Sequence, residues 1–208
     1  MLSDRDIKAA LAAGTIVVEP LEDPCVQIQP ASIDLRLGND FRVFKHAQRA
    51  FIDPLKDDTD DYTEVVHVED GTAFMLHPGE FVLGSIKEYI KIPDNIVGQV
   101  DGRSSLGRLA ILVHATAGFI DPGFEGNITL ELSNVGKMPV AFYPNMRVCQ
   151  ISFTRLSSPS ELPYGHPSRK SKYQGQRGPT GSRIQKDRPT RVPKGPDEEP
   201  PFRSSVTA

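Results

Sequence analysis

Cysteine is nearly absent from this chain of 208 residues: there are two, Cys25 and Cys149, far apart and in no CxxC pair. Two such thiols build neither a disulfide scaffold nor a four-ligand structural zinc site, and they suit a reduced, cytoplasmic setting. No run approaches the roughly 18 apolar residues that a membrane helix needs, so no membrane partner is expected. Met1-Leu2-Ser3-Asp4 has neither a basic segment nor an apolar core behind it, and no secretory signal is expected. Hydrophobic residues make up 38%, below the usual globular share, which places part of the chain outside the core.

Charge is unevenly spread. From Gly165 onward there are ten Lys/Arg and four Asp/Glu, which leaves the first 164 residues at −9 against a chain total of −3. A basic end on an acidic body suits a lid over phosphates, and it also suits a plain solvated tail. No series of aromatic residues accompanies those charges, so bases would have nothing to stack on and no nucleic-acid partner is expected.

What the chain does have is short strands. Ser3 with Asp6 reads as a helix cap, followed by a short amphipathic helix through Ile7, Ala10 and Leu11 that ends at Gly14. In Ile33-Asp34-Leu35-Arg36-Leu37 the alternation predicts a half-buried strand with Asp34 and Arg36 paired on its polar face. Further strands are expected over 15–18, 41–44, 73–76, 81–86, 96–100, 140–143 and 148–153, punctuated by Pro and Gly. Residues 57–61, with four acids, read as a solvated loop; no turn-fixing Gly accompanies them as a calcium loop would require. The fold class is therefore all-β, a sandwich, barrel or jelly roll with a short N-terminal helix. Alternation stops after Ser157. The expected division is a core over 1–160, a covering segment over 161–187 and a disordered tail over 188–208.

The chemistry concentrates between Asp101 and Glu131. Gly102-Arg103-Ser104-Ser105 enters an apolar run, with Arg108 nearby; hydroxyls, guanidiniums and free backbone N–H groups there suit an anion. Asn127 to Asn134 alternates strictly, placing Thr129, Glu131 and Ser133 on one face. Between them lies Gly118-Phe119-Ile120-Asp121-Pro122-Gly123-Phe124, a glycine-bounded loop with one carboxylate. An anion clamp, a loop Asp and a strand Glu point to hydrolysis of a phosphorylated compound. Each feature alone is also an ordinary turn or strand.

Together these segments resemble the dUTPase and dCTP deaminase superfamily over about residues 1 to 186. Ala31-Ser32-Ile33-Asp34-Leu35-Arg36 resembles its first motif, Gly102-Arg103-Ser104-Ser105-Leu106-Gly107 its second, Gly118 to Phe124 its third and Asn145-Met146-Arg147-Val148-Cys149-Gln150 its fourth. Arg177-Gly178-Pro179-Thr180-Gly181-Ser182 is similar to its Gly-rich fifth. Val113-His114-Ala115-Thr116-Ala117, Ile128-Thr129-Leu130-Glu131 and Ser171-Lys172-Tyr173-Gln174-Gly175-Gln176 resemble the deaminase branch, and dUTPases are not expected to carry that Glu.

The resemblance implies a distorted β-barrel or jelly-roll subunit, a homotrimer with active sites between subunits, and Mg²⁺ held by the triphosphate. It casts Glu131 as the general base and acid of cytosine deamination. Arg103, Ser104, Ser105 and Arg108 would hold phosphates or orient water, joined by Tyr164, Lys172 and Gln176 from the C-terminal segment and by Gln150. Leu106, Gly107, Ala117, Thr129 and Leu130 complete the substrate-binding set, with backbone near Thr129 reading the base edge. Phe124 would pack on the deoxyribose and exclude a 2′-hydroxyl. Asp34 would organise water around Mg²⁺. Gly118-Phe119 resembles the bifunctional, dUMP-forming members: a small Gly118 would leave room for a second water that Asp121 activates. Asp121 contacting the 3′-hydroxyl, or capping its turn, is the competing role.

The implied activity is conversion of dCTP to dUMP, ammonia and diphosphate. The alternatives are a deaminase that stops at dUTP, a plain dUTPase that leaves Glu131 unexplained, and a non-catalytic nucleotide sensor, which would lack a carboxylate. Zinc-dependent base deaminases carry H-x-E followed by P-C-x-x-C. His67-Val68-Glu69 fits the first half, but Pro24-Cys25 lies upstream without a second Cys, so no zinc is expected and His67 reads as a strand residue.

Overall fold

Alternating apolar and polar residues become sheet throughout the chain. The structure, a computed structural model, describes residues 1–45, 51–116 and 118–187. In chain order these form α1 (Asp4–Ala12), β1 (Val17–Glu19), α2 (Pro24–Gln27), β2 (Ile28–Gln29), β3 (Ser32–Arg36), β4 (Asp40–Phe44), β5 (Thr63–His67), β6 (Phe74–Leu76), β7 (Phe81–Ser85), β8 (Tyr89–Lys91) and β9 (Ile96–Gly102). Then come α3 (Ser104–Gly107), β10 (Ile111–Leu112), β11 (Phe119–Ile120), β12 (Glu125–Gly126), β13 (Thr129–Asn134), β14 (Val140–Phe142) and β15 (Arg147–Arg155). The expected tail over 188–208 and Ala117 lie outside the described residues.

Two five-stranded sheets, ordered β10-β13-β7-β4-β5 and β11-β9-β15-β3-β2, carry most of the molecule, and the chain passes repeatedly from one to the other. This is the all-β barrel or jelly-roll arrangement that the strand pattern called for. Their inner faces meet in one core: Ile33, Leu35, Ile151 and Phe153 from one sheet, Phe41, Val82, Leu130 and Leu132 from the other. A smaller sheet, β1-β8-β12, and the pair β14-β6 close the flanks. Burial pushes the thiol pKa of Cys149, inside β15, well above the ordinary range, so that sulfur is no nucleophile.

The first helix begins as its cap pattern predicts. Ser3 Oγ accepts the Asp6 N–H at 3.4 Å, and Asp4 and Asp6 lie in the first turn, where negative charge favours the helix dipole.

Strand β3 departs from expectation. All five of its residues are buried, and Asp34 and Arg36 do not pair with each other. Covered charges need several partners each, and one strand neighbour cannot supply them. Arg36 donates through Nε to the fully buried Glu88 at 2.7 Å and through its backbone N–H at 2.9 Å, while Gln27 Nε2 donates to the same carboxylate at 3.1 Å. Asp34 instead takes Arg147 at 2.9 Å and Arg103 at 3.4 Å.

Candidate active site

Glu131 is placed by the alternation of β13. Leu130, Leu132 and Asn134 point into the core, so Thr129, Glu131 and Ser133 face out, with Leu83 of β7 opposite Glu131. Over this face lies a cavity of about 600 Å³. Glu131, Thr129, Asp121, Phe124, Lys172 and Gln176 all line it. Phe44 provides an apolar wall, its ring 5.9 Å from that of Phe81 and 6.0 Å from that of Tyr62.

The Asp-Pro-Gly turn brings in the second carboxylate. Gly123 adopts φ +90, and a Cβ there would lie 2.7 Å from Pro163 Cβ and 2.8 Å from the Tyr164 carbonyl. Only glycine lets the C-terminal segment cross the turn this closely. Phe124 donates its N–H to the main-chain oxygen of Asp121, not to its side chain. Among the described residues the Asp121 carboxylate has no hydrogen-bond partner, so it faces the cavity without capping its turn. Phe124 is buried, its ring 5.8 Å from that of Tyr164. Burial pushes the Tyr164 phenol pKa up, partly offset by the Tyr173 N–H that its oxygen accepts at 3.0 Å. The phenol is therefore a neutral donor at physiological pH.

Residues 164–187 form a strap over this cavity. Gln176 runs parallel to Gly126, accepts the Asn127 N–H at 3.0 Å and donates through Nε2 to the Asn127 carbonyl at 2.7 Å. Thr180 N–H reaches Thr129 Oγ1 at 3.2 Å, and Arg42 Nε holds the Pro179 carbonyl at 3.0 Å. Thr59, expected in a merely solvated acidic loop, is buried and donates to the Ser182 carbonyl at 2.9 Å. The acidic loop thus anchors the strap. Near the strap's end Arg183 donates to the Lys172 carbonyl, and Lys172 Nζ meets Asp187 Oδ2 at 2.5 Å.

Three buried side-chain atoms among the described residues lack any partner: both ring nitrogens of His114 and Oε1 of Gln176. Both residues line the cavity. A buried polar group left unpaired costs about 1–3 kcal/mol, so such atoms at the wall of one cavity suit a polar ligand. Sequence reasoning gave Gln176 a role but none to His114, although His114 stood within a family-like motif.

The expected anion clamp lies elsewhere in this chain. Arg103, Ser104, Ser105, Gly107 and Arg108 are grouped at α3, none of them lining the cavity. The side chain of Leu106 is buried in the core, as is that of Leu130, so each could meet a ligand only through its backbone. Gln150 lies opposite Asp34 on the neighbouring strand, and Arg147 was missed as a partner of this group. One chain therefore keeps two groups apart: carboxylates under a strap, and cations with hydroxyls at α3.

A Cβ at Gly118 would come within 2.5 Å of both Gln99 Nε2 and the Val100 carbonyl. Glycine lets the segment entering β11 lie this close to β9. Phe119 lines the cavity and is well exposed. His67 ends β5 and meets Asp40 at 2.7 Å, a surface pairing.

A family model described as dCTP deaminase-like matches residues 1–156. The chain is 58% identical over 187 residues to a protein of Dictyoglomus thermophilum named dCTP deaminase, dUMP-forming, covering 90% of this chain and 96% of that one. It is 57% identical over 189 residues to a Haloarcula marismortui protein named dCTP deaminase, covering 90% and 96%. Among solved structures, the 2′-deoxycytidine 5′-triphosphate deaminase of Agrobacterium tumefaciens aligns with a TM-score of 0.57 at 26% identity, over 73% of this chain and 46% of that chain's length. Strand pattern, strapped carboxylate cavity and these similarities together establish that the chain belongs to the dCTP deaminase family.

Proposed function

We propose that this chain hydrolyses dCTP to dUMP, ammonia and diphosphate in the cytoplasm. The observation that carries this is the pair of cavity carboxylates, Glu131 and Asp121, under one strap in a chain more than half identical to a dUMP-forming relative. Glu131 takes a proton from water as the oxygen attacks C4 of cytosine. It then returns that proton to the exocyclic nitrogen, the second proton of the water ends on N3, and ammonia leaves as the C4 carbonyl forms. Asp121 takes the proton of a second water that attacks the α-phosphorus, and the bond to the diphosphate breaks. Phe124 packs on the deoxyribose and excludes a 2′-hydroxyl, and Gln176 and His114 hydrogen-bond the nucleoside.

The phosphates require the α3 half-site, which we place over the cavity of a neighbouring subunit in a homotrimer. Each site then combines Glu131 and Asp121 of one chain with Arg103, Ser104, Ser105 and Arg108 of the next. Among the described residues no three His, Cys, Asp or Glu side chains converge as a metal cage, and Asp34 is already held by two arginines. These residues fit Mg²⁺ only as an ion carried by the triphosphate, where it would offset charge on the diphosphate leaving group.

The equally similar Haloarcula protein, named simply dCTP deaminase, favours a second reading in which the reaction stops at dUTP. Product analysis separates the two. Purified protein with dCTP and Mg²⁺ is expected to give dUMP and diphosphate; accumulation of dUTP alone would remove the second step. Asp121→Asn is expected to slow diphosphate release about 100-fold or more while ammonia release falls much less, which would leave dUTP as the product. Equal loss of both would make Asp121 a binding residue.

A further inference from the structure

Thr116 is an exposed residue of a bend, and its hydroxyl sits against the Glu131 carboxylate. Oγ1 lies 2.9 Å from Glu131 Oε2 and 3.1 Å from Oε1. No other hydrogen-bond donor reaches Glu131 among the described residues. The contact is non-local: Thr116 belongs to the segment between β10 and β11, Glu131 to the middle of β13.

We infer that Thr116 is the positioning residue for Glu131 in the deamination assigned above, on which this inference rests. A carboxylate on a strand is free to rotate about its last bond, and a water to be activated needs one oxygen held at a fixed place. A hydroxyl has a single proton to donate. Nearly equal distances to both oxygens let that proton bond either one with little movement. While Glu131 is ionised, the hydroxyl fixes the carboxylate plane and leaves lone pairs on both oxygens for water. Once one oxygen carries the proton taken from water, the hydroxyl bonds the other, still unprotonated oxygen. The acidic O–H is then free to turn to the leaving nitrogen. The pair is exposed in the free chain, so solvent competes with the bond. A bound nucleotide covers it, and the drier surroundings strengthen it.

The test compares Thr116→Val, which keeps shape but loses the hydroxyl, with Thr116→Ser, which keeps the hydroxyl. Ammonia release from dCTP and diphosphate release from supplied dUTP are followed separately, with wild-type protein alongside. Thr116→Val is expected to lose about 10- to 100-fold in kcat for ammonia release, the value of a hydrogen bond to a charged group, with KM within about twofold. Thr116→Ser is expected to stay within about threefold of wild type, and diphosphate release from dUTP to be nearly unchanged in both. Wild-type kcat in Thr116→Val would overturn the inference. So would a rise in KM alone, or equal loss of both reactions with a lowered melting temperature, which would make Thr116 structural. If wild-type protein releases no ammonia from dCTP, it is the assignment of deamination that fails.

Discussion

Glu131→Gln is expected to release ammonia from dCTP at least about 1,000-fold more slowly than the wild type while binding dCTP almost as tightly. The amide has the carboxylate's shape, so β13 keeps its pairing with β7 and the outward position of residue 131 is unchanged. What it lacks is basicity: it can neither take the proton of the attacking water nor return it to the amino group. The Thr116 hydroxyl still finds an amide oxygen to bond. Ammonia release and calorimetric titration with dCTP read the two quantities. Near-normal turnover would take Glu131 out of the reaction, and lost binding would make it a recognition group.

A second large effect is expected from mixed subunits. Arg108 is exposed, with no side-chain partner among the described residues, so Arg108→Met should fold normally. Alone it is expected to lose about 10- to 100-fold in kcat/KM through the missing phosphate contact. Co-expressed in equal amounts with Glu131→Gln and purified through two tags, it should regain about a third of wild-type activity. In a mixed trimer one of the three sites between subunits takes its carboxylate from a chain that keeps Glu131 and its arginine from a chain that keeps Arg108. A site within one chain would regain nothing, since every chain would carry one of the two lesions. The same experiment decides whether the α3 half-site and the cavity act on one nucleotide.

Much of the carboxylate half of the site was legible beforehand because it rests on local rules. Strict alternation over β13 fixes the outward direction of Glu131, and Asp-Pro-Gly fixes a turn at Asp121. The two-sheet architecture followed from the same periodicity. What stayed hidden depends on contacts between distant residues. Alternation in β3 suggested a polar face but could not say that other elements cover it, so the expected Asp34–Arg36 pair gives way to Glu88, Arg103 and Arg147. The three-residue pairings of β1 with β8 carry too little pattern to read. Thr116 and His114 became visible only once the fold set one beside Glu131 and left the other's nitrogens unpaired. Nor does any local rule say that the α3 residues lie outside the cavity that β13 lines.

The ion pair between Lys172 and Asp187 gives the strap an exchangeable character. A triphosphate reaching that ammonium does not meet a bare cation; it displaces a carboxylate that was already there, and one anion leaves as another arrives. Ionic strength weakens the old pairing along with the new, so KM should respond to salt more shallowly than the number of cations around the phosphates implies. Asp187→Asn removes the competitor: KM should drop about two- to fivefold at low salt and climb more steeply as salt is added. Asp187 would then set the ionic conditions under which the enzyme fills.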